Sequence, residues 1–166
     1  MGTFADAASF GELAIVATRW DGTENALKLA GPSNLEGKVV IDVANPLDFS
    51  QGMPPTLSVC NTDSLGEQIQ RAFPRLRVVK TLNTTNALVM VNPAAVAGGD
   101  HSMFVCGDDA DAKAKVKAWL GEWFGWRDVI DLGDITTARG TEMLLPIWVR
   151  LWGALGTPMF NFKIVR

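Results

Sequence analysis

The chain has 166 residues, 48% of them hydrophobic and 20% charged, a balance that supports a packed core and excludes a disordered chain. Its net charge of −3, without a basic stripe, argues against a nucleic-acid partner, and no apolar run approaches the length of a membrane span. Cys60, Cys106 and the single His101 lack metal-ligand spacing and give no disulfide framework; no secretory leader pattern opens the chain, and a cytoplasmic setting is expected.

Residues 4 to 9 suggest a short helical turn, and LAIVA (13–17) a strand. Asp21-Gly22-Thr23 opens a helix with Ala26, Leu27, Leu29 and Ala30 on its apolar side, stopped by Gly31-Pro32. KVVIDV (38–43) is almost continuously apolar, as a central parallel strand is. Strand, helix and strand in this order make a βαβ unit. The segment 44–61 is long for a connection and carries Pro46, Gly52, Pro54 and Pro55, so it is a candidate lid or pocket wall. Ser64 and Glu67 have capping-box spacing ahead of a helix with Leu65, Ile69, Ala72 and Phe73 on one face, ended by Pro74. Arg77–Thr81 is the next strand.

Residues 93–99 form a small-residue turn or short helical piece. Ser102–Gly107 reads as a strand with Cys106 packed in the core, and His101 before it as an exposed turn residue. Asp108, Asp109 and Asp111 supply a cap and negative charge for a helix reaching about Phe124, with Val116, Trp119, Leu120 and Trp123 inward. Asp128–Leu132 is a short strand. From Met143 to Leu155 apolar residues fall nearly all round a helix that Pro146 kinks or restarts, which predicts burial against the sheet or a second subunit. Five of the six tryptophans (Trp119, Trp123, Trp126, Trp148 and Trp152) follow residue 118, again the mark of a buried interface. The tail 160–165 alternates and is predicted to be a final strand. Nothing divides the chain, so residues 1–166 are expected to form one domain.

Three strands run into short loops that open on a polar side chain or an alanine before one, and in open α/β sheets ligands sit at the carboxyl ends of parallel strands. The candidates are Thr18-Arg19-Trp20, Asn45-Pro46-Leu47 and, most prominent, Asn83-Thr84-Thr85-Asn86, whose amides and hydroxyls suit a planar, amide-bearing ring. An ordinary Asn/Thr turn capping the strand is the competing reading of 83–86. The glycine turn by which such sheets hold a dinucleotide, G-x-G-x-x-G after a strand, does not occur among the 16 glycines.

The segments GKVVIDVANPLDF, RVVKTLNTTNALVM, FVCGDDADAK and DLGDITTARGTEMLLPIWVRLWGALGTPMFNFKIV resemble, in this order, the NADPH-dependent coenzyme F420 reductase family of Rossmann-type NADP oxidoreductases. The resemblance covers residues 3–166. It implies a Rossmann-like parallel sheet with flanking helices, lacking the first βαβ glycine-rich unit, followed by the apolar helix and final strand, as in the family's later two-thirds. It implies hydride transfer between nicotinamide and a deazaflavin (coenzyme F420) or flavin-like acceptor. Thr18, Arg19, Trp20, Asn45, Pro46, Asn83, Thr84, Thr85 and Asn86 would line the cofactor cleft, and Leu47 and Asn86 would meet the substrate. No general acid, base or metal is implied, because ring-to-ring hydride transfer rests on positioning and water exclusion. NADP is expected to bind weakly or not at all without the glycine turn. A homodimer is expected, and a non-catalytic, dimerising binding module is the alternative.

Overall fold

Short runs of Val and Ile, each closed by a turn or a helix cap, build the sheet of this molecule. The computed structural model describes residues 2–166. The first half runs α1 (Phe4–Phe10), β1 (Leu13–Val16), α2 (Trp20–Ala30), α3 (Pro32–Leu35), β2 (Val39–Asp42), β3 (Leu47–Asp48), β4 (Thr56–Leu57), α4 (Leu65–Ala72) and β5 (Arg77–Thr81). The second half runs α5 (Ala87–Val91), β6 (Ser102–Cys106), α6 (Ala110–Trp119), β7 (Asp128–Asp131), α7 (Ala138–Met143) and α8 (Leu145–Leu155).

The main sheet has five strands in the order β1-β2-β5-β6-β7, and β3 and β4 form a separate small hairpin within the long connection. β1, β2 and β5 are mutually parallel, as are β6 and β7, but β6 runs antiparallel to β5. A parallel crossover needs a helix long enough to carry the chain back along the sheet. Between β5 and β6 the α-helix present, α5, has five residues, about 7.5 Å. The chain therefore re-enters from the end it left. The sheet is mostly parallel rather than wholly so, within the α/β class expected.

Alternation along the strands sends Val40 and Val78 to one face, with Leu27, Leu65, Ile69, Phe73 and Ala138, and Val39, Ile41 and Val79 to the other, with Val89, Val105, Val116, Leu120 and Trp126. Cys106 is fully buried on the first face, and burial pushes its thiol up to about 11, whereas Cys60 is exposed. The turn after β6 passes so close to β5 that a Cβ on Gly107 would lie 2.5 Å from the Val78 carbonyl oxygen.

The caps follow the sequence closely. Ser64 Oγ accepts from the Glu67 amide at 3.1 Å and begins α4. The Glu67 carboxylate accepts from the Ser64 hydroxyl at 2.7 Å and from the Arg139 guanidinium, tying α4 to α7. Gly31 ends α2 with φ of +78°, and Pro32 starts α3 rather than merely stopping the chain. Pro146 lies at the start of α8, so it restarts the chain after α7, and the apolar stretch from Leu145 to Leu155 is a helix of its own. A π-helical turn, Leu120–Phe124, prolongs α6 and turns Trp123 outward, contrary to its expected inward position.

Two further expectations are corrected. His101 is 3% exposed, not a solvent-facing turn residue: its Nε2 donates to the Pro93 carbonyl at 3.0 Å, its Nδ1 accepts from the Asn161 amide at 2.8 Å, and its ring meets Trp126 edge-on. The tail 160–165 forms no strand. It is a cord fixed at the start of β6, where Ser102 N donates to the Phe162 carbonyl and Ile164 N donates to Ser102 Oγ.

Candidate functional site

The carboxyl ends of β1, β2 and β5 lie side by side because these strands are parallel and in register. Asn45 and Asn83, just beyond β2 and β5, face each other: Asn45 Nδ2 donates to the Asn83 carbonyl at 2.7 Å and Asn83 Nδ2 donates to Asn45 Oδ1 at 2.9 Å. Trp20, at the start of α2, joins them through its indole N–H, which donates to the Leu47 carbonyl at 2.8 Å. The Leu47 amide in turn donates to the Asn45 carbonyl at 2.8 Å. One bonded path thus runs from Trp20 through Leu47 and Asn45 to Asn83.

The other candidates are placed differently. Thr84 and Thr85 turn inward, with Thr84 Oγ1 against Met103 Sδ and Thr85 Oγ1 buried without a partner among the described residues. Asn86 spends its side chain capping α5, donating nothing to Asn83 and accepting from the Leu88 amide at 2.8 Å. Arg19 forms an exposed ion pair with Asp21. Thr18 Oγ1 bonds Thr23 Oγ1 at 2.9 Å, and Thr18 lines an apolar groove of about 260 Å³ with Phe4, Leu13, Val16 and Leu27. The Pro46 carbonyl accepts from the Ser58 amide, which folds the long connection back on itself. Beside the asparagines stands an apolar wall in which Leu145, Trp148 and Val149 pack with Leu47, Leu57, Phe160 and Phe162.

Sequence reasoning missed the charged group directly behind this pair. Asp42 and Lys80 are register partners at the ends of β2 and β5, both wholly buried, and Glu142 from α7 reaches the same point. Lys80 Nζ bonds Asp42 Oδ2 at 2.8 Å, Glu142 Oε1 at 2.8 Å and the Ala44 carbonyl. Burial alone would push the Lys80 ammonium down, but Asp42 and Glu142 outweigh it and hold the ammonium above its ordinary range. Burial also pushes the Glu142 carboxyl up, with Lys80 opposing. The remaining Glu142 contacts, from Leu65 N at 2.9 Å and Gly66 N at 3.1 Å, occupy the amino end of α4. The signal was present: two opposite charges at matching places in otherwise apolar strands, where an unpaired charge would be prohibitively costly.

No known family model and no curated protein sequence matches the chain. Among solved structures, a protein named as a candidate F420-dependent NADP reductase from Arthrobacter sp. FB24 is 64% identical over 98% of this chain and 73% of that one, with a TM-score of 0.96. The chain belongs to the F420-dependent NADP reductase family. Its α/β arrangement is also shared with more distant structures, a likeness of fold alone. These include a hypothetical protein, SMa0349, from Sinorhizobium meliloti (20% identity over 98% of this chain and 70% of that one, TM-score 0.66). An imine reductase from Myxococcus stipitatus in complex with NADP+ is 15% identical over 94% of this chain and 47% of that one, with a TM-score of 0.61.

Proposed function

We propose that this chain serves hydride transfer between the nicotinamide of NADPH and a deazaflavin or flavin-like acceptor. The observation that carries the reading is the Asn45–Asn83 pair at the ends of parallel strands, in a chain 64% identical to a protein named as a reductase of this kind. Each of the two amides uses one N–H on the other residue, so a ligand carboxamide would find a second N–H on each. Thr85 Oγ1, a buried hydroxyl without a partner among the described residues, is the sort of group that a bound amide satisfies. Leu47, Trp20 and Asn86 would flank the acceptor, and the wall around Trp148 would exclude water.

The nicotinamide supplies the hydride. The chain's residues would hold the ring amide and orient one ring over the other; the hydride would pass to the acceptor ring, leaving NADP+, and the proton that completes the reduced acceptor would come from solvent. Since the 166 residues contain no G-x-G-x-x-G, the pyrophosphate lacks a glycine cradle here, and NADPH affinity is expected to be weak. The test is a titration with NADPH followed by tryptophan quenching, with Trp20 as reporter, then absorbance assays with deazaflavin and with flavin. Saturable quenching and NADPH oxidation dependent on one acceptor would support the reading. Neither response from a folded chain would sink it. Asn83→Ala should lower turnover about tenfold by misorienting the ring.

A further inference from the structure

We infer that Lys80 is the positioning residue of the Asn45–Asn83 pair. The inference rests on reading that pair as the ligand-contacting centre of the chain. An ammonium has three N–H groups, and those of Lys80 meet three acceptors: Asp42 Oδ2, Glu142 Oε1 and the Ala44 carbonyl. Asp42 uses its other oxygen to accept from the Ala44 amide at 2.9 Å. Both polar groups of Ala44 are therefore held from within the sheet, its N–H by Asp42 and its C=O by Lys80. Ala44 is the residue before Asn45, so this double hold sets the direction in which Asn45 leaves β2 and meets Asn83. Lys80 belongs to β5, the strand that delivers Asn83. A single side chain thereby links the two strand ends whose amides must lie a fixed distance apart.

Stability alone does not account for the arrangement. A buried ion cluster gains little over well-packed apolar residues of similar volume, while it fixes geometry through directional bonds. Glu142 performs a separate task from Ala44, since its two oxygens also close the amino end of α4.

Amide hydrogen exchange resolved by peptide tests the idea on the whole chain, beside steady-state kinetics with NADPH. Lys80→Met strands two buried carboxylates, so the double variant D42N/K80M, which leaves only Glu142, is measured with it. In either folded variant, exchange in 43–47 and 82–86 should rise about tenfold while Leu13–Val16 and Ser102–Cys106 keep their protection. Turnover should fall about tenfold with KM for NADPH within about twofold. Glu142→Gln should loosen 64–67 and leave 43–47 unchanged. A uniform rise in exchange over the whole sheet would mean a stabilising cluster and nothing more, and unchanged 43–47 in the Lys80 variants would equally overturn the inference. Absence of NADPH turnover in the unmodified chain would strike the proposed reaction instead, and the exchange pattern would still decide the role of Lys80.

Discussion

Asp109 combines two roles in one carboxylate. It caps α6 by accepting from the Ala112 amide at 2.7 Å, and it receives both Nε and Nη2 of Arg77 at 2.7 Å. The Arg77 hydrogen bonds, followed by the backbone cap, hold its carboxyl at about 2 rather than the ordinary 3.8. The folded state thus binds this proton less readily than the unfolded chain. The stability it contributes is complete above the ordinary value and is lost as pH falls from 3.8 towards 2. Because the side chain is 37% exposed and solvent screens the pair, Asp109→Ala should cost only about 1 kcal/mol at neutral pH, chiefly as a lost cap. In urea titrations the gap between the two proteins should narrow across that acidic window. This cap was legible in Asp108-Asp109-Ala, because capping is local. The Asn45–Asn83 partnership was legible only as two polar strand ends, since the bond joins residues 38 apart. Lys80 and Asp42 went unread as a pair because each looks ordinary until the strands are placed in register.

At the scale of elements, apolar runs placed all five strands of the main sheet, most plainly the central β2, β5 and β6, which are buried almost throughout. Direction and edges were beyond that signal. β5 pairs only with Val105 and Cys106 of β6, and the alternating tail meets the other end of β6 at Ser102 alone, too little for a ladder, so it stays a cord. That cord carries Asn161, whose amide donates to His101 Nδ1 at 2.8 Å and to the Ser102 carbonyl at 3.0 Å. The first bond leaves the ring proton on Nε2, where Pro93 accepts it. His101 was misread because its partner is 60 residues away. Asn161→Leu should leave a buried ring nitrogen unpartnered and cost roughly 1–3 kcal/mol in chemical unfolding, with faster amide exchange concentrated at 93–102. A cost below a few tenths of a kcal/mol would show the cord to be dispensable.

On the scale of the whole molecule, α8 buries Trp148 and Val149 yet leaves Ile147 48%, Trp152 43% and Leu155 57% exposed. A homodimer joined through this face remains the proposal, and Ile147→Glu should shift light scattering from dimer to monomer. A monomeric unmodified chain would refute it. Among the described residues no helix is long and apolar enough to cross a membrane. The opposite edge of the sheet, β1, pairs with β2 on one side and, among the described residues, with no strand on the other; it leaves Ile15 51% exposed, which makes it the place where strand-to-strand association is expected. The contrast between Cys60 on the surface and Cys106 inside gives the protein a chemical clock. A thiol reagent should consume the first group at once and the second only when β6 becomes accessible, at a rate set by how often the sheet opens. If the opening free energy from that slow labelling equals the global value from urea, the sheet comes apart as one unit. A smaller value would identify the corner after β6, where Gly107 crowds Val78, as the first part of the molecule to give way.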